Sequence, residues 1–100
     1  MTRVGDIAAK VRSKNAGPFW LTIDVFCADS AAFTRLSQGL KDTAVARLFQ
    51  ITPDSLLRFD ISDLKVIKFS LPRPAIQGAR ADRDMHGAAF AELLADLEFR

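Results

Sequence analysis

Cysteine and histidine are nearly missing from this sequence, which has one of each, Cys27 and His86. A single cysteine cannot close an internal disulfide, and one histidine among scattered carboxylates gives none of the usual metal-ligand spacings. We therefore expect no disulfide scaffold and no metal site. A chain of 100 residues is long enough for one core but not for a deep cofactor pocket as well, so we also expect no cofactor. Cys27 lies on the apolar side of an alternating segment, which predicts a small buried side chain rather than a reactive thiol.

Long apolar runs and a strong charge of one sign are also missing. Charged residues interrupt the N-terminal segment, so it does not resemble a signal peptide, and no stretch approaches the roughly 18 apolar residues that span a bilayer. Lysine and arginine number 14 and aspartate and glutamate 12, which leaves a net charge of +2. The two signs are interspersed, so we expect no nucleic-acid partner and no membrane contact. The expected location is the cytoplasm, with a reduced thiol.

What the sequence does have is the composition of a globular protein, with 49% hydrophobic and 26% charged residues over 100 positions. This length and composition predict a single domain, residues 1–100. A domain this small cannot bury all of so many apolar residues, and the edges of a sheet expose further surface. We therefore expect self-association, as a homo-oligomer, or a protein partner.

Apolar and polar residues alternate in four segments, which is the pattern of half-buried strands. The three clearest are Val4–Arg12, Trp20–Cys27 and Lys65–Leu71. A short strand is also expected around Leu57 to Ile61, and the tight polar connection after it predicts antiparallel pairing with the strand that follows.

Helices are expected between the second and third of these strands and near the end of the chain. Asp29 or Ser30 is expected to cap the first helix, and Asp42 or Thr43 a shorter second one. Residues 75–86 show no periodicity, and the last apolar segment predicts a helical turn followed by a strand. The mixture predicts an α+β fold, with an antiparallel sheet and helices on one face.

The segment that follows the first strand carries the ingredients of an anion site. Arg12 and Lys14 supply fixed positive charge. The Ser13 hydroxyl and the Asn15 amide add hydrogen bonds, and Gly17 lets a ligand approach the backbone closely. Such a site suits a carboxylate or a phosphate, although the spacing matches neither a P-loop nor a dinucleotide fingerprint. The alternative is an ordinary hairpin connection.

Arg73 is a further candidate, because it stands between Pro72 and Pro74, two residues with preset backbone angles. This restricts where its guanidinium points and suits bidentate recognition of a carboxylate. The alternative is a strand end with a solvated arginine. If the first and fourth strands run parallel as neighbours, Arg73 joins Lys14 and its neighbours at one end of the sheet.

Trp20 and His86 offer less specific signals. Trp20 can stack on a ligand or a partner, but packing in the core or at an edge is the more common role of a single tryptophan and is expected here. His86 follows Asp82 and Asp84 and can act as a general base, although an exposed loop histidine is the more common explanation of the pattern and is expected here. No nucleophile, base and acid can be assigned as a catalytic set.

Two short motifs resemble those of a known family. The run Ser-Lys-Asn-Ala-Gly-Pro occupies Ser13–Pro18, and Pro-Arg-Pro occupies Pro72–Pro74. The motifs and their spacing resemble domain-of-unknown-function family 4387 over essentially the whole chain. Members of that family are often encoded beside a larger protein similar to the acyclic terpene utilisation protein AtuA. Relatives tend to carry glutamines and a histidine near Ala88, Ala89 and Phe90, so no polar role is expected there.

The resemblance implies a ferredoxin-like fold, an AtuA-like large partner and a role in organic-acid or acyl-CoA catabolism. Two functions remain open. In the first, the chain is the small subunit of a two-component enzyme, such as a hydro-lyase acting on an unsaturated or hydroxy acid. In that case a carboxylate is bound, or the partner's site is closed, by Arg12, Lys14, Asn15 and Arg73. In the second, the chain is a binding or assembly module without chemistry of its own.

Overall fold

The computed structural model of the chain describes residues 2–16, 19–72 and 87–99. The strands are β1 (Thr2–Arg3), β2 (Lys10–Asn15), β3 (Trp20–Phe26), β4 (Leu57–Ile61), β5 (Val66–Pro72) and β6 (Glu98–Phe99). The helices are α1 (Val4–Ile7), α2 (Ser30–Gly39), α3 (Asp42–Leu48) and α4 (Gly87–Ala95), and a 3-10 turn at Pro53–Ser55 precedes β4.

A four-stranded antiparallel sheet, in the order β2-β3-β5-β4, is the centre of the fold. It consists of two hairpins, β2–β3 and β4–β5, which join along β3 and β5. In the central pair, Ile23 lies opposite Phe69. β1 and β6 form a separate two-stranded sheet. The predicted α+β fold with an antiparallel sheet is therefore confirmed.

The ferredoxin-like arrangement implied by the resemblance is not confirmed. A ferredoxin-like sheet is assembled from β-α-β units, in which a helix separates successive strands. In this chain β2 and β3 follow one another directly as a hairpin, with Asn15 opposite Leu21. The sheet is therefore built from two hairpins, and in the chain the helices α2 and α3 lie between the first hairpin and the second.

One face of the sheet packs against the helices. Its fully buried side chains are Leu21, Ile23, Val25, Ile67, Phe69 and Leu71. The helices and their connections contribute Leu36, Leu40, Val45, Phe49, Phe90 and Leu94, all fully buried. The rings of Phe49 and Phe90 meet edge to face with centroids 6.0 Å apart, which joins α3 to α4. Burial of each such side chain stabilises the fold by about 1.5–3 kcal/mol.

The predicted strand at Val4–Arg12 is wrong in its first half, because α1 occupies that part and strand pairing begins only with β2. Contacts with the end of the chain hold the helical turn. The buried Val4 donates its N–H to the Leu97 carbonyl at 2.9 Å. Gly5 lies so close to α4 that an added Cβ would be 3.1 Å from the Ala95 carbonyl oxygen. Tertiary contacts therefore override the local alternation.

The starts of the two central helices differ in how well they were predicted. Asp29 caps α2, and its carboxylate accepts a hydrogen bond from the Ala32 N–H at 2.8 Å, as expected. At α3 the expected cap is wrong, because Lys41 holds the cap position without a side-chain hydrogen bond. Asp42 lies in the first turn, where its negative charge interacts favourably with the helix dipole.

The end of the described chain follows its prediction, since the helix α4 is followed by the strand β6. The predicted boundaries of β3 and β5 also agree with the structure to within one residue. Among the described residues, no helix combines the length and the apolar character needed to cross a membrane.

Candidate anion site on the open face of the sheet

The motif residues of β2 are divided between the two faces of the sheet. The Ser13 hydroxyl accepts a hydrogen bond from the Ala91 N–H of α4 at 3.0 Å, so Ser13 faces the helices. Side chains alternate along a strand, and Arg12 and Lys14 therefore face away from the helices. The presence of Gly17 and Pro18 predicts a loop from Ser13 to Phe19. This prediction is wrong as far as Asn15, because β2 pairs with β3 up to that residue.

The face that points away from the helices, which we call the open face, is positively charged. Its cations are Lys10, Arg12, Lys14 and Lys68, placed there by their register with β3. Among the described strand residues, one carboxylate lies on this face, that of Asp24. Four cations against one carboxylate leave the open face with a net positive charge, so it attracts anions.

Two cross-strand rows bring these charges together. In the first row, Arg12 of β2 lies opposite Asp24 of β3, which in turn lies opposite Lys68 of β5. In the second row, Lys14 lies opposite Thr22. Arg12 and Lys14 are exposed, whereas Thr22 keeps only 9% of its surface exposed. The two cationic side chains are thus free to turn toward a ligand, whereas the polar side chain of Thr22 on β3 is nearly buried.

A cavity of about 190 Å³ opens beside these rows. Its lining residues are Arg12, Ser13, Lys14, Asp24 and Phe26. A cavity of this size has room for several waters or for one small organic anion. Two cations, one carboxylate and one aromatic ring thus surround a space of ligand size.

Two buried polar atoms of the open face are Thr22 Oγ1 and Asp24 Oδ1. Neither has a hydrogen-bond partner among the described residues. Asp24 also makes no ion pair with a described residue, although Arg12 and Lys68 flank it. A buried polar group without a partner costs about 1–3 kcal/mol. Both atoms have almost no accessible surface, so a ligand meets Asp24 only through the part of its side chain that lines the cavity.

Gly17 and Arg73 of the predicted site lie outside the described residues, as does His86. β2 and β5 run parallel, so Asn15 and Pro72 lie at the same end of the sheet. The two strands are not neighbours, however, because β3 lies between them. That part of the prediction is wrong, and two strand spacings, about 10 Å, separate the two strand ends.

Part of the open face is apolar, namely the edge strand β4 and the start of β3. We call this part the apolar side of the open face. On the edge strand β4, Leu57 is 49% exposed and Phe59 50% exposed, and Ile61 continues the same row. Trp20 at the start of β3 is 43% exposed. The expectation that Trp20 packs in the core or at a sheet edge is therefore wrong, since β3 is a central strand and Trp20 lies on its open face.

A partly buried charge cluster around Arg58 was not singled out by the sequence patterns. Its Nε donates to Asp60 Oδ1 at 2.8 Å and its Nη1 to Asp42 Oδ1 at 2.9 Å. Its Nη2 donates to the Ser37 carbonyl at 2.8 Å. The guanidinium also lies 5.6 Å from the ring centroid of Phe69. The available signal was the alternation in β4, which places Arg58 and Asp60 together on the helix side.

These contacts change the pKa values of both charged partners. Partial burial acts to raise the pKa of Asp60, but hydrogen bonds from Arg58 and Ser37 outweigh it and hold the pKa below its ordinary value. Burial acts to lower the pKa of Arg58, and its bonds to Asp60 and Asp42 outweigh that and raise it. A cavity of about 660 Å³ lies beside Arg58. The N–H groups of Arg58 are bonded to protein acceptors, however, so its role is to hold β4 against the helices rather than to bind a ligand.

Cys27 is buried, with 8% of its surface exposed, as predicted. Burial, and then the neighbouring charge of Asp29, raise the pKa of its thiol. The thiol therefore stays protonated at neutral pH, which makes it a poor nucleophile. Within the described ranges, no three histidine, cysteine, aspartate or glutamate side chains come together closely enough to hold a metal ion.

The comparisons with known proteins give one match. No curated protein and no solved structure matches the chain. Residues 4–98 match the family described as a domain of unknown function, DUF4387. This range includes the Ser13–Pro18 and Pro72–Pro74 motifs, which carry the resemblance seen in the sequence. The chain therefore belongs to the DUF4387 family.

Proposed function

We propose that this chain is a small accessory subunit that acts with an AtuA-like partner in organic-acid or acyl-CoA catabolism and binds a carboxylate on its open face. The pair Arg12 and Lys14 carries this proposal. Both side chains are exposed on the same side of β2, and both line the cavity of about 190 Å³. Hydrogen bonds from these cations to a carboxylate are roughly twice as strong as those between neutral groups.

The described residues favour binding over chemistry by the chain alone. A protein nucleophile needs a lowered pKa or an adjacent base. The pKa of the Cys27 thiol is raised instead, and Asp60 is held by Arg58 and Ser37. In the proposed reaction, a two-component hydro-lyase adds water to an unsaturated acid or removes it from a hydroxy acid. The AtuA-like partner then supplies the catalytic groups, and this chain positions the acid.

A second candidate is a binding or assembly module without chemistry, and the apolar side of the open face favours it. Leu57, Phe59 and Trp20 expose between 43% and 50% of their surface. Aromatic residues are enriched at protein interfaces. The same face can therefore serve a partner whether or not the pair catalyses a reaction.

Co-expression with the AtuA-like protein encoded nearest to this chain tests both candidates. The expected result is a stable complex that hydrates or dehydrates a small acid, while neither chain does so alone. Arg12→Gln and Lys14→Gln should each lower turnover by roughly tenfold or more without dissociating the complex. The matched control is Arg47→Gln, because Arg47 is an exposed arginine on α3.

The alternatives give different results in that experiment. A complex whose turnover is unaffected by both open-face variants, or which shows no turnover, supports the assembly module. A chain that does not bind the AtuA-like protein at all contradicts both candidates. Phe59→Ser should weaken the complex if the apolar side is the contact surface, because it removes a half-exposed ring.

A further inference from the structure

The cavity beside β2 carries groups that a plain carboxylate does not satisfy. We infer that its ligand is a small hydroxy acid, whose carboxylate binds Arg12 and Lys14 and whose hydroxyl group donates a hydrogen bond to Asp24. The inference rests on the proposed carboxylate binding and names the class of acid that is bound.

The carboxylate end of the ligand is assigned by charge and geometry. Arg12 and Lys14 are alternate residues of β2, so both side chains leave the strand on the same side of the sheet. Both line the cavity and neither has a partner in the described part of the chain. An acid group placed between them accepts two charge-assisted hydrogen bonds.

The hydroxyl group is assigned by Asp24, the carboxylate among the residues that line the cavity. Asp24 Oδ1 is buried and receives no hydrogen bond from any described residue. A carboxylate accepts hydrogen bonds only, so a second acid group beside Asp24 would bring two acceptors and two negative charges together. A hydroxyl group instead donates to Asp24.

Charge argues against a second copy of this chain as the occupant of the same site. Face-to-face pairing of two open faces would place the cations Lys10, Arg12, Lys14 and Lys68 against their own copies. Like charges brought together in this way repel each other. A small anion has the charge and the size that the cavity accepts.

A matched pair of acids tests the inference, because malate and succinate differ by a single hydroxyl group. Each is titrated into the full isotope-labelled chain up to about 50 mM, and backbone amide shifts are followed by NMR. Both acids should shift amides of β2 and β3, and malate should bind about five- to tenfold more tightly than succinate.

Variants separate the two ends of the ligand. Arg12→Gln and Lys14→Gln should weaken both acids by about fivefold or more, whereas Arg47→Gln should change neither. Asp24→Ala should abolish the preference for malate and leave succinate as tightly bound or tighter, since a repelling charge is lost. Asp24→Asn keeps an acceptor oxygen and the shape of the side chain, so it should retain part of the preference and serves if Asp24→Ala does not fold.

The inference is overturned if neither acid binds, or if the two acids bind with equal affinity. It is also overturned if the preference for malate survives Asp24→Ala, or if the amide shifts lie outside β2 and β3. These outcomes are independent of the proposed partner. A chain that assembles with the AtuA-like protein but does not distinguish malate from succinate retains its proposed function and loses this ligand assignment.

Discussion

The hydroxyl group of Ser13 accepts a hydrogen bond from the Ala91 N–H at 3.0 Å, although the two residues are far apart in the chain. This contact ties β2 to α4 on the covered side of the sheet. The residues on either side of Ser13, Arg12 and Lys14, point to the open face. A single motif therefore serves two purposes, because its serine holds the fold together and its cations remain available to a ligand.

Replacing Ser13 should affect stability rather than binding. Ser13→Ala removes the acceptor of the Ala91 N–H, and we expect a loss of about 1 kcal/mol in the free energy of unfolding. Urea denaturation measures this loss, with Ser62→Ala in the exposed β4–β5 turn as the control. Affinity for a carboxylate should be unchanged, so a large loss of affinity with unchanged stability would show that Ser13 contacts the ligand.

Arg58 should be among the most sensitive polar positions. Arg58→Met keeps the apolar stem of the side chain but removes the guanidinium that donates to Asp60, Asp42 and the Ser37 carbonyl. The Arg58 side chain is 15% exposed, but those of Asp42 and Asp60 are 49% and 31% exposed, so solvent screening limits the cost to about 1–2 kcal/mol. Thermal or urea unfolding should show this, and Arg47→Met should change little. Comparable effects of both variants would mean that the cluster adds nothing to stability.

The lowered pKa of Asp60 makes part of the stability depend on pH. Its folded-state pKa lies below the ordinary value of 3.8, so the stabilisation is complete above that value and is lost as the pH falls through the folded-state pKa. The difference in unfolding free energy between the natural chain and Asp60→Asn should therefore be constant near neutral pH and shrink below about pH 4. A difference that grows toward acidic pH would reverse the assigned sign.

The thiol of Cys27 should react slowly in the folded protein. It is 8% exposed, and burial and Asp29 raise its pKa above the ordinary value of 9.0. We expect reaction with an aromatic disulfide reagent at pH 8 to be roughly 100-fold slower than in urea. The rate should keep rising beyond pH 9.0. Equally fast reaction in the folded and unfolded chain would place the thiol at the surface.

The sequence predicted those elements whose pattern is local. Alternating apolar residues identified β3 and β5, because both strands have one side in the core. The cap of α2 was predictable because the Asp29 carboxylate bonds to an N–H only three residues further along the chain. Family membership was predictable from two short motifs, which need no knowledge of the fold.

Elements that depend on distant contacts were not predictable in this way. The helical turn α1 is held by Leu97 and by the close approach of Gly5 to Ala95, and no window around residues 4–12 contains those partners. The strand β2 continues through polar residues that are typical of turns, because its pairing partner is supplied by β3. Asp24 was not singled out as a site residue, since its importance depends on Arg12 and Lys68 of other strands.

The division of the sheet into two hairpins also bears on how fast the chain folds. Each hairpin closes a short loop, so its own pairing costs little chain entropy. Joining β3 to β5 brings Trp20 opposite Pro72 and must first order the chain between them, including α2 and α3. Contacts of such high sequence separation slow folding, so we expect this joining to be the rate-limiting step. Trp20 lies in the β3–β5 pairing, so its fluorescence should report when the two hairpins join.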